Sequence, residues 1–136
     1  MNSIERHKLI HPASFRPQDW LRFILIDPFP GQWSRLKLTE EHMQLLEIFV
    51  MTNPLIGAVV SQTGGLRKCR FRIPKSGKGK SGSYRLFYVY FPECSHLVLW
   101  AVLGKGQSEN LAEAQRNEIA KQIARLKSLL DKGVIR

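Results

Sequence analysis

The chain has 136 residues, 43% of them hydrophobic, and a formal net charge of +10 at pH 7. That length sets the expectation of one domain with a sizeable core, and the apolar content excludes a disordered basic tail. The charge points to nucleic acid, an anionic membrane surface or an acidic protein partner. The longest wholly apolar run, "LVLWAVL" (97–103), is too short for a spanning helix, which needs roughly 18 residues.

Residues 1–19 are polar, carry His7, His11, Pro12 and Pro17, and show neither clear periodicity nor an apolar leader core. They read as an N-terminal extension, followed by a single domain over 20–136. Cys69 and Cys94 have neither zinc-site spacing nor a disulfide framework around them, which fits two reduced thiols in a cytoplasmic protein. "WLRFILID" (20–27) is a short strand stopped by "PFPG". A short helix is expected over 31–37. Thr39 then caps a helix with Met43, Leu46, Phe49 and Val50 at helical spacing, ended by Asn53-Pro54.

"LRKCRFRI" (66–73) alternates, with Lys68, Arg70 and Arg72 on one face and Arg67, Cys69, Phe71 and Ile73 on the other. "SYRLFYVYF" (83–91) and "HLVLWAVL" (96–103) are apolar on both faces, as in strands covered from two sides, and "PECS" joins them as a hairpin loop. The tail is the clearest helix. Asn110 with Glu113 reads as a capping box, Leu111, Ala112, Ile119, Ile123, Leu126 and Leu130 form its stripe, and Gly133 stops it. The expected architecture is α+β: a largely antiparallel four-stranded sheet in the order β-α-(α)-β-β-β-α, with helices packed on one side.

Residues 63–90 contain no acid, yet hold Lys68, Arg70, Arg72, Lys75, Lys78, Lys80 and Arg85. "GKGKS" (77–81) is not a phosphate-cradling loop of the Walker type. Pro74 stands where its first glycine belongs, and a strand follows where a helix must. The four histidines show no paired ligand spacing, so no metal or other cofactor is expected. Cations at alternate strand positions stand about 6.6 Å apart on one side of a sheet, a spacing suited to an extended phosphate backbone. The same pattern also describes the solvated face of a half-buried sheet. Arg85 adds a planar fork for phosphate, and Tyr84, Tyr88 and Tyr90 add rings on which unpaired bases stack, although some of these rings belong to the core.

Beyond these patterns, "LTEEHMQLLEIFVMTNPLIGAVVSQTGGLRKCRFRIPKSGKGKSGSYRLFYVYF", followed by "LWAVLGKGQSENL", resembles the RelE/HigB toxins of bacterial type II toxin–antitoxin systems. The likeness is to a HigB-like branch in which a helix ending in Asn-Pro leads to G-T-G-G-L-R-K and then K-G-K-x-G-x-x-R. It covers roughly residues 38–130. The resemblance implies a compact RelE-like fold that cleaves messenger RNA in the ribosomal A site without metal, with an antitoxin, a small helix-turn-helix protein, as partner. It assigns Lys68 and Arg70 to the active-site strand, Arg85 to the scissile phosphate and Lys105 to the basic loop before the last helix. Lys68 would serve as base or would stabilise the phosphorane. Arg67, Arg72, Lys75, Lys78 and Lys80 would contact RNA and ribosome. Gly106 and Leu111 stand at the approximate places of the family's loop arginine and tyrosine, which leaves Tyr84 as the substitute acid or stacking group. The alternative is a non-hydrolytic member of the superfamily, a ParE-like inhibitor of DNA gyrase or a relative without catalysis.

Overall fold

The computed structural model describes the backbone of 4–7 and residues 20–73, 82–107 and 110–133. The elements in chain order are β1 (Ile4–His7), β2 (Arg22–Ile26), α1 (Phe29–Arg35), α2 (Glu40–Thr52), β3 (Ala58–Val59), β4 (Arg67–Ile73), β5 (Gly82–Phe91), β6 (His96–Leu103) and α3 (Glu113–Asp131). The six strands form one sheet in the order β1-β2-β6-β5-β4-β3. Every neighbouring pair is antiparallel except β2 and β6, which run parallel with Ile24 opposite Val98.

The α+β class and the mainly antiparallel pairing agree with expectation; the strand count and the placement of the helices do not. Two strands are added to the expected four. Residues 4–7, inside the stretch read as an extension, pair with β2. The two residues of β3 extend the far edge, beyond β4.

The helices lie on both faces. On one, Phe29 and Trp33 of α1 and Met43, Leu46 and Val50 of α2 pack over Phe23, Leu25, Leu86, Tyr88, Leu97 and Leu99. On the other, Ile123, Leu126 and Leu130 of α3 cover Ile24, Phe87, Val89, Val98 and Trp100. The reason is already visible in β5 and β6. Strands apolar at successive positions have two faces to remove from water, and helices on one side leave half of that surface wet.

Local chemistry sets the helix ends. The Thr39 hydroxyl accepts the His42 N–H at 3.3 Å while His42 Nδ1 accepts the Thr39 N–H at 3.0 Å, a reciprocal cap in which histidine does the work of the usual glutamate. The last helix starts later than the Asn110 cap would have it. Its N-cap is Ala112, whose N–H donates to Gln115 Oε1 at 2.8 Å, and Ala112 is exposed rather than part of the apolar stripe. Gly133, at a φ of 71°, ends it by donating its N–H to the Leu130 carbonyl at 3.0 Å. Between β5 and β6 the loop is a short 3-10 turn, Pro92–Cys94, closed by Ser95 in the left-handed region. No helix among the described residues is long and apolar enough to cross a membrane.

Candidate functional site

The cationic face of β4 meets β5 with Arg70 directly opposite Arg85 in the antiparallel ladder. Directly opposed residues share one face of a sheet, and like charges placed so repel and destabilise the pairing. Arg85 is half-buried and Arg70 exposed. An anion between them would offset the repulsion.

Both arginines line a cleft of about 840 Å³ at the end of the sheet where β5 begins and β6 finishes. Gly82, Ser83 and Tyr84 form its β5 side, the turn 104–107 with Lys105 and Gln107 closes it beyond β6, and Gln32, Arg35 and Leu36 of α1 and its end form the remaining wall. Its charged lining among the described residues is therefore Arg35, Arg70, Arg85 and Lys105, with no Asp, Glu or His among them.

This wall is anchored from below. Phe29 and Trp33 stack at 5.5 Å between ring centroids and hold α1 in the core. Gln32 Oε1 accepts the Val102 N–H at 2.8 Å and so ties α1 to the end of β6. A Cβ on Gly104 would stand 2.8 Å from Leu36 Cδ2, so glycine lets the turn close against α1. The turn is drawn in by Gln107 Oε1, which accepts the Gly104 N–H at 2.6 Å. Across the cleft, Tyr84 lies against Gly82, where a Cβ would stand 2.6–2.8 Å from its hydroxyl oxygen and two ring carbons.

The structure thus brings together Arg70, Arg85, Lys105 and Tyr84 of the sequence-derived set. Lys68 and Arg72 lie on the same exposed face of β4, two residues to either side of Arg70, but do not line the cleft. Arg67 faces the other way. Its Nη1 donates to the Gly57 carbonyl at 2.7 Å, a contact that holds the chain after α2. Lys75, Lys78 and Lys80 lie outside the described residues.

The three tyrosines divide. Tyr88 is fully buried, donates to the Pro54 carbonyl at 2.8 Å and accepts the Gly57 N–H at 2.9 Å, so it is a core staple and no stacking platform. Tyr84 and Tyr90 are half-buried against the same cluster, and only Tyr84 reaches the cleft. Cys69 and Cys94 are free and half-buried. Burial pushes the Cys69 thiol up to about 11, which keeps it protonated and unreactive at neutral pH.

Arg35, Gln32, Ser83 and Gln107 were not anticipated. The short helix itself was legible, and Arg35 sits in its last turn, but nothing in its few residues says that this turn faces positions 70 and 85. Among the described residues no three His, Cys, Asp or Glu side chains converge as metal ligands. No model of a known protein family matches the chain.

Proposed function

We propose that this chain is a ribosome-dependent mRNA endonuclease of the RelE/HigB toxin type, with a RelE-like fold, restrained by a small helix-turn-helix antitoxin, and that the cleft takes the scissile phosphodiester. The observation that carries this reading is the convergence of Arg35, Arg70, Arg85 and Lys105, from two strands, a helix and a turn, on one cleft with no acid among its described lining residues. Four fixed cations suit a reaction in which negative charge accumulates on phosphorus-bound oxygens.

In that reaction the 2′-hydroxyl passes its proton to water and its oxygen bonds to the adjacent phosphorus. The bond to the 5′-oxygen breaks, and that oxygen takes a proton as it leaves. The products are a 2′,3′-cyclic phosphate and a 5′-hydroxyl. Arg70 and Arg85 stabilise the phosphorane from the rigid sheet, and Lys105 and the Tyr84 hydroxyl are the lining groups from which the leaving oxygen draws its proton. Lys68 and Arg72 extend the cationic row along β4 for the flanking RNA backbone, where each contact adds affinity and salt dependence.

Single-turnover cleavage on programmed ribosomes tests this, with ribosome binding measured separately. Arg85→Ala should lower the saturating rate on the order of a hundredfold or more, because loss of a fixed phosphate contact misplaces the reacting atoms, while binding stays near wild type. If Arg85→Ala cuts at the wild-type rate once saturating, the cleft is not the active site.

One observation favours the non-hydrolytic alternative: among the described residues no imidazole or carboxylate lines the cleft to move a proton. Induced expression separates the two readings. New 5′ ends inside translated reading frames support the nuclease, whereas intact transcripts with collapsing DNA supercoiling support a gyrase inhibitor.

A further inference from the structure

We infer that the cleft holds two consecutive phosphates of one RNA strand, the first between Arg70 and Arg85 and the second between Arg35 and Lys105. This rests on the proposed reading of the cleft as an RNA site and adds how much of the RNA it grips.

By the elements that carry them the four cations fall into two pairs, joined by the β5–β6 ladder in which Arg85 lies opposite Leu103, two residues before Lys105. Arg70 and Arg85 are cross-strand partners on the sheet, so their backbones are locked to each other by the β4–β5 ladder. Arg35 and Lys105 belong to α1 and to the turn after β6, and these two elements are locked to each other in turn. Gln32 of α1 accepts the N–H of Val102, and Leu36 closes on Gly104, the residue before Lys105. Each pair of cations thus stands on two elements whose backbones are held to each other.

The space in the cleft exceeds what one phosphate fills. About 840 Å³ lies in the range of clefts that take a whole small ligand, and matches the bulk volume of on the order of thirty waters. Ser83, Tyr84 and Gln107 supply hydrogen-bonding groups and a ring face in the same lining, the equipment needed for a nucleoside between two phosphates.

Arg35 itself is exposed, with its guanidinium nitrogens 3.7–3.8 Å from where a Cβ on Gly31 would stand. Its side chain lies back along α1 over a residue that presents no side chain. It is not needed to fill the core, so its removal leaves the fold intact.

The test compares two ligands on the purified full chain, each competing with a fluorescein-labelled oligouridylate in an anisotropy assay. One is uridine 5′-monophosphate. The other is a 5′-phosphorylated uridine dinucleotide with a 2′-deoxy first sugar, which carries two phosphates and cannot be cut. Wild type should prefer the dinucleotide by about tenfold or more, the contribution of one further charge-assisted contact. Arg35→Ala should bring the ratio close to one and lower the salt slope for the oligouridylate by about 0.7, without changing the melting temperature. Arg35→Lys should keep most of the slope, since the charge stays and only the planar fork is lost. Arg85→Ala should weaken both ligands alike.

An unchanged ratio in Arg35→Ala overturns the inference, even if Arg85 proves essential for cleavage on ribosomes. Failure of the wild-type chain to bind either ligand overturns it as well. If the ratio depends on Arg35 as stated while the wild type cuts no message on ribosomes, the two-phosphate cleft stands and the nuclease reading falls.

Discussion

Arg85 and Phe87 occupy the same face of the same strand, two residues apart, in opposite environments. Phe87 lies under α3 with Val89, Phe91, Val98 and Trp100, and is 5% exposed. Arg85 is half-buried at the cleft, across from the exposed Arg70. Strand pairing continues unbroken from one to the other. What changes is the helix overhead. Where α3 covers the sheet, the face is apolar; beyond the cover of α3 it turns cationic, so the extent of that helix decides where core ends and site begins.

The sharpest way to break that comparison is Phe87→Ala. If Phe87 belongs to the packed core, truncation should cost about 3–5 kcal/mol in urea unfolding, through lost burial and the cavity left behind. A cost below about 1 kcal/mol would put the boundary beyond Phe87 and make this face solvent-like throughout.

The helix layer on the opposite face sharpens it with a buried acid. Glu47 of α2 is fully buried, and its burial, with the nearby Glu40 adding to it, pushes the carboxyl up to about 8 from an ordinary 4.5. Below pH 4.5 both folded and unfolded chains hold this proton. Between 4.5 and 8 only the folded chain holds it, so stability falls as pH rises through that window and levels off above it. At about 1.4 kcal/mol per unit the loss approaches roughly 3 kcal/mol by pH 7. Glu47→Gln should flatten that fall and leave the variant more stable than wild type at pH 8.5. Equal pH dependence of the two urea midpoints would rule the acid out as its source.

The smallest effect separates two tyrosines four residues apart on β5. Tyr88→Phe leaves the buried Gly57 N–H without its acceptor and should cost about 1–3 kcal/mol. Tyr84→Phe removes a hydroxyl at the cleft and should stay within about 0.5 kcal/mol of wild type in thermal unfolding. Equal costs would mean that the cleft is as much a part of the packed interior as the loop over Tyr88.

The sequence carried a good deal of this plan. Alternation in 66–73 placed Arg70 and Phe71 on opposite faces, and the doubly apolar runs of β5 and β6 announced cover from both sides. The architecture first drawn from these elements, with helices on one side, contradicted that local evidence. Pairings between distant segments were not legible. Nothing in residues 4–7 distinguishes a strand from the rest of a polar stretch, and β3 is too short to show a period. Alternation also put Lys68 beside Arg70, yet a two-residue repeat says nothing of how far a cleft extends along a strand. Arg35 entered the site through the anchoring of α1 by Gln32 and Trp33, contacts made with residues remote in sequence.

The parallel pair β2–β6 joins residues more than half the chain's length apart. During synthesis β2 emerges with Phe23, Ile24, Leu25 and Ile26 and then waits several seconds, at roughly 5–20 residues per second, for its central partner. Until β6 arrives, Val102 cannot hold Gln32, the turn with Lys105 does not exist, and Arg35 has no fixed relation to Arg70 and Arg85. The cleft is completed by one of the last strands to leave the exit tunnel. A nascent chain therefore carries the four cations without the cleft that gathers them, and the ribosome finishes most of its work before that cleft exists.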